Sequence, residues 1–533
     1  MVRMVDPAAP ARRPTVILGD CRSYDAERIR LIVRGALERL GLEPFGRTLI
    51  KPNVVAAGAR FPHAYTRPEF IEGVSRALQD RDRGRMRSLT IGERCGITMP
   101  TRFAFDQAGY RPVAGRVGAE LVHFEEVPQV EIPLYHPERL RDSIFTPKTV
   151  AEADFFVNCP KFKAHPWTTV TFSLKNYIGI QDDRHRLIDH SHTLDEKVAD
   201  LQYIIQPQFI AIDAITAGEG RMLTPIPFDL GLVICGDNQV AIDAVCCRII
   251  GLDPLDVPHI RMAWERGFGP VELEDIDVVG DVDLAEARRR AQGFRVGLIR
   301  VEDYFAGTNI RAYGGPPPSG RADDYCWGGC PGALEEAIEI LRLYEPAATD
   351  KVPITHIVFG KWDKPLEVGA GERVVFIGDC AEYRGSIAGR EVAIESLYRD
   401  RSHIHPLEAK HQDIFAKIVA VHRTMRKAER RFIRGDESVV RIAGCPVSVA
   451  EQVLTLVELG KLPNPYFDTQ LAPPFISAYL SWRTRAAMQR LLGRPYNQAG
   501  PIERGQARPR QNLPPAGTPT PLEHVNRGPS SSE

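Results

Sequence analysis

The sequence predicts an α/β protein that consists of two mostly parallel-sheet units with helices on both faces, plus a disordered C-terminal tail. Short continuous apolar runs alternate with stretches of helical periodicity along most of the chain. Such runs are typical of parallel strands that are covered on both faces. A composition of 43% hydrophobic and 26% charged residues is that of a folded globular protein. The 533 residues are sufficient for more than one domain.

The first predicted unit covers residues 14–285 and follows a flexible N-terminus of residues 1–13. Its predicted strands lie at residues 15–20, 48–53, 89–93, 155–159, 209–215, 232–235 and 276–279. Its clearest predicted helices lie at residues 26–40, 68–78 and 241–250. Strands that alternate with helices in this way favour a parallel sheet with crossover connections.

A segment at residues 286–325 is predicted to be an irregular linker, because it contains the loop-like sequence GGPPPSG. The alternation resumes in a second unit over residues 326–495. Helices are predicted at residues 331–344, 406–430, 446–459 and 474–492, and strands at residues 355–359, 373–378 and 439–443. Residues 496–533 are rich in Pro, Gly, Ser and Arg, which predicts a disordered tail.

Charge and hydropathy narrow the possible partners and location. Lys and Arg number 68 against 69 Asp and Glu, a balance that does not favour non-specific binding to nucleic acid. No apolar run is long enough to span a membrane, so no membrane partner is expected. The N-terminal segment lacks the apolar core of a signal peptide, and a cytoplasmic location is therefore predicted.

Four cysteines of the second unit follow predicted strands or precede predicted helices. Cys326 and Cys330 lie in CWGGCPG, Cys380 ends VVFIGDC, and Cys445 lies in VVRIAGCP. Loops at the carboxyl ends of parallel strands emerge at one edge of a sheet, so cysteines far apart in sequence can converge there. Because Pro suits the first turn of a helix, Cys330 and Cys445 are predicted near helix N-termini, where a thiolate is stabilised.

Four converging thiolates predict a metal centre rather than a disulfide framework in a cytoplasmic protein. A [4Fe–4S] cluster is favoured because only one local pair, CxxxC, is present. Structural zinc sites favour two tight cysteine pairs, which makes zinc the minor alternative. A third interpretation is that the four are ordinary core thiols.

The remaining six cysteines are interpreted as weaker candidates. Cys21, Cys95 and Cys159 also follow predicted strands and form a rival metal set, although none of them is a local pair. The others lie inside apolar runs and are predicted to be core residues: Cys235, Cys246 and Cys247.

The first unit contains a dense polar cassette at residues 158–192. Lys161, Lys163 and His165 alternate directly after a strand, so extended geometry places them on one face. A lysine that is crowded by other cations has a lowered pKa and can act as a base or nucleophile. We predict these three residues and Lys175 as catalytic; the alternative is a solvated basic loop. The predicted substrate-binding residues are Lys51, Asn53, Thr171, Asn176, Asp213 and Glu219.

Four motifs of the first unit resemble the domain of unknown function 362 family over about residues 48–281. They are KPN at residues 51–53, CPKFKAHPWTTVTFSLKNYIGI at 159–180, IDAITAGEGRMLTPIP at 212–227 and GDNQVAIDAVCCRIIGLDP at 236–254. The resemblance implies a cytoplasmic α/β protein, often associated with iron–sulfur clusters, whose reaction is mostly uncharacterised. The basic motif of the family falls on Lys161, Lys163, His165, Lys175 and Asn176.

Many members of that family carry a separate ferredoxin-like segment with CxxCxxCxxxCP spacing, which this chain lacks. We therefore expect the cluster on the second unit. These features together predict a cytoplasmic iron–sulfur enzyme that carries out a redox reaction on a small carboxylate or phosphate substrate, with its site between the two halves. No nucleotide-binding fingerprint is present, so a ferredoxin-type partner would supply electrons. The alternatives are a lyase or dehydratase that uses the cluster as a Lewis acid, and a non-catalytic, metal-stabilised module that binds an anion.

Overall fold

A computed structural model describes residues 13–96, 99–181, 193–297, 299–317, 325–326, 329–398 and 438–493. The predicted fold class is confirmed: two mixed, mostly parallel sheets are each packed against helices. The predicted helix at residues 406–430, the tail at residues 496–533 and nearly all of the N-terminal segment 1–13 lie outside the described residues.

The first sheet runs in the order β12-β1-β11-β10-β7-β2-β3-β4, with β8 beside β10 and β9 beside β8. The strands are β1 (Thr15–Asp20), β2 (Gly46–Pro52), β3 (Met86–Glu93), β4 (Glu120–His123), β7 (Phe155–Cys159), β8 (Lys161–His165), β9 (Thr169–Val170), β10 (Phe209–Glu219), β11 (Ile226–Gly236) and β12 (Asp277–Gly280). A separate hairpin consists of β5 (Gln129–Pro133) and β6 (Ser143–Pro147). Strand β11 is antiparallel to both its neighbours, whereas β10, β7, β2, β3 and β4 are mutually parallel. The carboxyl ends of these five strands therefore share one edge.

Helices cover both faces of this sheet. They are α1 (Ala26–Leu40), α2 (Pro68–Arg81), α3 (Thr101–Gln107), α4 (Tyr110–Val117), α5 (Lys148–Ala151), α6 (Phe172–Lys175), α7 (Leu194–Leu201), α8 (Gln239–Ile249), α9 (Pro258–Glu265) and α10 (Leu284–Arg290). The local sequence explains their limits, as α1 illustrates. Asp25 caps its first turn by accepting from the backbone N–H groups of Glu27 and Arg28, and Gly41 ends it in the left-handed conformation.

The second sheet runs in the order β13-β14-β15-β16, with β17 also paired to β15. Its strands are β13 (Ile310–Gly314), β14 (Thr355–Trp362), β15 (Arg373–Ile387), β16 (Arg390–Ile394) and β17 (Val439–Ile442), and all pairings except β15 with β16 are parallel. Its helices are α11 (Val301–Tyr304), α12 (Cys330–Arg342), α13 (Ala348–Lys351), α14 (Val449–Gly460) and α15 (Ala472–Leu491). In the described ranges, no helix combines the length and apolar character needed to cross a bilayer.

The structure differs from the prediction at three points, of which the first two lie at the boundary between the units. Strand β13 lies inside the predicted linker at 286–325 and is the first strand of the second sheet. Its short sequence IRAYG has too little apolar character to be recognised as a strand. Helix α10 crosses residue 285, because Ala287 packs into the core of the first unit. Helix α14 begins at Val449, not at residue 446, because Ser448 provides its N-cap.

Candidate functional site

Two cysteines of the second unit flank Gly378, at the carboxyl end of the apolar part of β15. A Cβ atom on Gly378 would lie 3.3 Å from Cys380 Sγ and 3.4 Å from Cys330 Sγ. The φ angle of Gly378 is +104°, a conformation that strongly favours glycine. The backbone N–H of Val447 donates to Cys330 Sγ over 3.2 Å, which brings the loop after β17 against the same sulfur.

Cys326 and Cys445 lie next to this pair. A Cβ atom on Gly329 would meet Cys326 Sγ and Pro446 Cβ, each at 3.7 Å. The segment that carries Cys326 therefore lies against the residue that follows Cys445. Burial raises the pKa of Cys330, and the nearby thiols of Cys380, Cys445 and Cys326 add to this shift. The structure thus places in one region the four cysteines that the sequence predicts as a metal set, although no three of them are arranged as ligands of a single metal ion.

Asp379 ties two of the cysteine loops to each other. Its backbone N–H donates to the Gly444 carbonyl over 2.8 Å, and its Oδ1 accepts from the Gly444 N–H, also over 2.8 Å. Because Asp379 and Gly444 directly precede Cys380 and Cys445, these two hydrogen bonds fix the cysteines beside each other. The sequence analysis missed Asp379, although its place at the end of an apolar strand was a usable signal.

Burial favours the protonated form of two of these thiols. Burial is the largest cause that raises the pKa of Cys330 and of Cys380, while hydrogen bonds from the backbone of Val447 and Gly360 oppose it. Cys330 is the first residue of α12, as predicted, but Cys445 precedes the start of α14 by four residues. A helix N-terminus therefore lies at one of the two predicted thiols.

The other six cysteines lie in the cores of the first unit. All ten cysteines are described, and none of them forms a disulfide. The rival set Cys21, Cys95 and Cys159 is buried in the hydrophobic core on one face of the first sheet. Burial raises the pKa of Cys21 to about 11. Among the described side chains, no group of three or more His, Cys, Asp or Glu residues is arranged as ligands of a metal ion.

At the carboxyl edge of the first sheet, Lys51 is held in a buried polar network. Its Nζ donates to Glu93 Oε2 over 2.8 Å and to Asn176 Oδ1 over 3.2 Å. Asn53 Nδ2 donates to the same amide oxygen over 3.1 Å, and Asn176 Nδ2 donates to Asn158 Oδ1 over 2.7 Å. Three predicted substrate-binding residues, Lys51, Asn53 and Asn176, are thus brought together.

Gly179 of the same family motif leaves room for this network. A Cβ atom at this position would lie 2.0 Å from Glu93 Oε1 and 2.9 Å from Lys51 Nζ. The Gly179 carbonyl also accepts from the Arg94 N–H over 3.1 Å. Glu93 was not predicted as a site residue, although it ends strand β3 as Lys51 nearly ends β2.

Lys161 forms a second buried pair on this edge. Its Nζ lies 2.9 Å from Asp213 Oδ2 and donates to the Tyr24 hydroxyl over 2.7 Å, while that hydroxyl donates to Asp213 Oδ1 over 3.0 Å. Asp213 and Lys161 are register partners of the adjacent strands β10 and β8, which explains the contact. Burial lowers the pKa of Lys161, and the charge of Asp213 opposes that shift. Burial and Asp213 together raise the pKa of Tyr24, which the sequence analysis missed.

Lys163 has a different environment. Its Nζ donates to two backbone carbonyls, those of Ala64 and Met222, each over 2.9 Å. Burial, the largest cause, lowers the pKa of Lys163 to about 7, while Glu336 opposes the shift and Lys161 adds to it. A lowered lysine pKa was predicted from crowding by other cations, but removal from water is the larger cause.

His165 lies where strand β8 ends and is almost completely buried. Its Nδ1 accepts from the backbone N–H groups of Trp167 and Thr168, over 3.1 Å and 3.3 Å. Because Nδ1 is the acceptor, the neutral ring carries its proton on Nε2. The Trp167 ring packs edge to face against the imidazole, with 5.4 Å between the centroids.

The remaining predicted residues have backbone or local partners. Thr171 Oγ1 donates to the Lys163 carbonyl over 3.1 Å and so supports strand β8. Glu219 accepts from the Arg295 N–H over 2.6 Å. Lys175 is buried at the end of the short helix α6. The histidines at residues 185, 190 and 192 of the cassette lie outside the described residues.

The two edges meet through helix α12. A Cβ atom on Gly332 would lie 2.6 Å from Trp167 Nε1 and 3.1 Å from Pro166 Cβ, so the first turn of α12 packs on the turn after His165. One turn further along α12, Glu336 accepts from the Leu223 N–H over 3.0 Å and from Thr224 Oγ1 over 3.2 Å.

Glu336 is therefore an interdomain contact that the sequence analysis missed. It also accepts from the N–H of Met222, whose carbonyl accepts from Lys163. Helix α12, which begins with Cys330, is therefore connected through Met222 to Lys163 at the edge of the first sheet. A buried Glu in an apolar helix pattern was the one available signal.

Comparison with known proteins confirms the family resemblance. Residues 48–248 match the family described as Domain of unknown function (DUF362). The matched segment contains the Lys51 network, the Lys161 pair, Lys163 and His165, whereas the four converging cysteines lie after it.

Two individual proteins are similar to parts of this chain. A protein named "Thylakoid-associated protein sll1697", from Synechocystis sp. (strain ATCC 27184 / PCC 6803 / Kazusa), is 25% identical over 268 residues, which cover 48% of this chain and 79% of that protein. The solved structure of the lactate racemase apoprotein from Thermoanaerobacterium thermosaccharolyticum is 11% identical. It covers 67% of this chain and 72% of its own, with a TM-score of 0.29.

Proposed function

We propose that this protein is an iron–sulfur enzyme in which Cys326, Cys330, Cys380 and Cys445 hold a [4Fe–4S] cluster. A cluster held there would supply single electrons to a small carboxylate or phosphate substrate bound between the two units. The observation that carries this proposal is that Cys330 and Cys380 lie beside Gly378, while Cys326 lies next to the residue that follows Cys445, so that cysteines from three chain segments share one region.

In the described residues the four thiols do not form a group arranged to bind a single metal ion, and this favours a larger cofactor over one ion. A single tetrahedral zinc requires its sulfur ligands in contact with one ion at about 2.3 Å. A cubane offers one iron to each thiolate, so its ligands need not be so compact. The four cysteines lie at the carboxyl edge of a parallel sheet, the usual place for a bound group in this fold class. Zinc remains the alternative that metal analysis tests.

Lys163 and His165 are the residues of the first unit that we assign to the substrate. Lys51 and Lys161 are neutralised by Glu93 and Asp213, and a paired charge has little capacity left for an external anion. Lys163 instead donates to neutral carbonyls, and its pKa of about 7 allows it to give or accept a proton near neutral pH. His165 lies at the end of the same strand, and its neutral ring carries the proton on Nε2 because Nδ1 accepts from two backbone N–H groups.

Electrons would come from a ferredoxin-type partner, because the sequence has no fingerprint for a nicotinamide or flavin nucleotide. Contact between α12 and the turn after His165 supports a short path from the cysteines to the substrate. Lysine and histidine would orient the anion and exchange protons, while the partner and the cluster handle electrons.

Anaerobic isolation of the full chain tests the proposal. We expect about four iron and four sulfide per chain, with a broad absorbance band near about 400 nm that bleaches on reduction. Cys380→Ala and Cys445→Ala should each remove most of the iron without unfolding the first unit. The matched control is Cys246→Ala, which removes a fully buried thiol from the core of the first unit and should retain the iron.

His165→Ala should leave iron content and spectrum unchanged, because His165 is assigned to the substrate. A colourless protein with stoichiometric zinc would contradict the cluster. Unchanged iron in both Cys380→Ala and Cys445→Ala would contradict the ligand assignment. A cluster that dithionite does not reduce would contradict the redox role and favour a lyase.

A further inference from the structure

The loop that carries Cys380 curls around the side chain of Arg441. This arginine lies on β17, which pairs with β15 in the second sheet. Its Nη2 donates to the backbone carbonyls of Gly378, Asp379 and Ala381, over 3.4 Å, 3.1 Å and 3.3 Å. Three carbonyls of one short loop therefore converge on one nitrogen, and Cys380 lies between the last two of them.

The same guanidinium holds a second segment against this loop. Arg441 Nη1 donates to the backbone carbonyl of Glu395, just after β16. Ser396 Oγ and the Leu397 N–H donate to the Asp379 carbonyl, over 3.2 Å and 2.7 Å. All four of these hydrogen bonds from the guanidinium go to neutral carbonyls, so none of them is an ion pair. Because arginine stays protonated inside proteins, a positive charge lies against the cysteine loop.

The contacts of Arg441 leave one of its donor groups over. Its Nε–H is buried and has no hydrogen-bond partner among the described residues. A buried donor without an acceptor is rare in folded proteins and requires an explanation. A sulfur of the proposed cluster would be such an acceptor, since cluster sulfurs accept hydrogen bonds from the protein. Burial raises the pKa of Cys380 and the charge of Arg441 opposes this shift, which indicates that the guanidinium lies within electrostatic range of the sulfur.

We propose that Arg441 raises the reduction potential of the cluster, an inference that rests on the proposed function. Arg441 is a positioning residue in this role, because it acts on the Cys380 loop and the bound group and not on the substrate. Reduction adds one electron to the site, and no bond in the protein forms or breaks. A cation beside the ligand loop stabilises the more negative, reduced form. Arg441 thereby favours electron transfer from a ferredoxin-type donor.

A redox titration of the anaerobically isolated full chain, with dithionite as the electron source, tests this role. Arg441→Gln removes the cation and should retain the iron. It should lower the equilibrium constant for reduction at least about tenfold, which is a fall of about 59 mV in the midpoint potential. Arg441→Lys keeps the charge and should stay within about threefold of the original constant. The matched control Arg390→Gln removes an exposed arginine of β16 from the same sheet and should leave the potential unchanged.

The comparison among these variants separates a tuning role from a merely structural one. Equal midpoint potentials in Arg441→Gln and Arg390→Gln, with iron retained in both, would overturn this inference alone. If Arg441→Gln loses its iron, retention by Arg441→Lys supports the need for a cation, whereas loss from both variants makes Arg441 a folding residue and overturns the inference. An original chain that binds no cluster refutes this inference together with the proposed function. Circular dichroism establishes that each variant is folded.

Discussion

The carboxyl edges of the two sheets face each other across helix α12, yet they satisfy their polar groups in opposite ways. On the first sheet, each of the buried lysines Lys51 and Lys161 has a carboxylate within 2.9 Å. On the second sheet, four thiols lie together, and burial raises the pKa of Cys330 and Cys380. The charges on the first edge are balanced by the ion pairs themselves. The thiols on the second edge would become charged only if a bound cation replaced their protons.

Under the proposed function, this difference separates an edge that acts as scaffold from an edge that binds a cofactor. A buried ion pair with additional hydrogen bonds is complete without a ligand, and removal of one partner is costly. Converging thiols become thiolates when metal binds, since metal binding and deprotonation are coupled. Lys163 is the exception on the first edge, because its partners are the neutral carbonyls of Ala64 and Met222. The chemistry is therefore expected where Lys163 approaches helix α12.

The largest expected effect comes from breaking a pair on the first edge. Lys51→Met leaves the Glu93 carboxylate buried without its cation and should lower the free energy of unfolding by about 3–5 kcal/mol. Urea unfolding followed by circular dichroism measures this loss. The control Lys148→Met removes a lysine that is 53% exposed and 3.5 Å from Glu152, and it should change stability by less than about 1 kcal/mol. Equal, small effects of both substitutions would show that the first edge is not a scaffold.

The next largest expected effect is a change in the free energy of unfolding with pH, which follows from the lowered pKa of Lys163. Its pKa in the folded protein is about 7, below the ordinary value of 10.5 that applies to the unfolded chain. Between these values the unfolded chain binds the additional proton, so stability rises with pH from about 7 to about 10.5. Lys163→Met should abolish this rise in the free energy of unfolding, which is on the order of a few kcal/mol. Urea unfolding at several pH values measures it, and parallel curves for the two proteins would contradict the assignment.

A change of stability with pH in the opposite direction is expected from Glu335 of helix α12. Burial, followed by the charge of Glu336, raises its pKa to about 8 from 4.5. The folded protein holds this proton between those pH values, so stability falls as pH rises from about 4.5 to about 8. Glu335→Gln should flatten that decline in the same urea experiment. A decline that the variant retains would mean that another group carries the proton.

Much of the fold was predictable because it follows from local sequence patterns. The contacts between distant residues, such as the Lys161–Asp213 pair, were not predictable in this way. The limits of β1 and α1 agree with the prediction, because a continuous apolar run and an i, i+4 apolar spacing are local properties. The convergence of cysteines was also accessible, because parallel strands deliver their loops to one edge. The contact between Lys161 and Asp213 depends on the register of β8 against β10, which no local pattern encodes. The same is true of Glu336, whose partners are more than a hundred residues away.

The proposed cluster site on the second sheet can be tested by substituting a glycine that lies beside two of the cysteines. Gly378→Ala places a methyl group within 3.4 Å of two sulfurs at a φ angle of +104°, and it should remove at least half of the bound iron. Gly371→Ala is the matched control, because its φ of +83° imposes comparable backbone strain but no atom lies within 4 Å of the added methyl group. Both should lose about 1–2 kcal/mol of stability, and only Gly378→Ala should lose iron. Equal iron contents would place the cluster away from Gly378.

The last prediction concerns the contact between the edges. Gly332→Ala adds a methyl group 2.6 Å from Trp167 Nε1 and should displace the first turn of α12 from the turn after His165. Gly115→Ala, in helix α4, meets no atom within 4 Å and should stabilise its helix by up to about 1 kcal/mol. Gly332→Ala should instead lower stability by about 1–3 kcal/mol, the range of overpacked interiors. Because Trp167 lies at this contact, its fluorescence should shift in the Gly332 variant alone. An unchanged emission spectrum together with stabilisation would mean that the two edges are not in contact, and the proposed path from cysteine to substrate would fail with it.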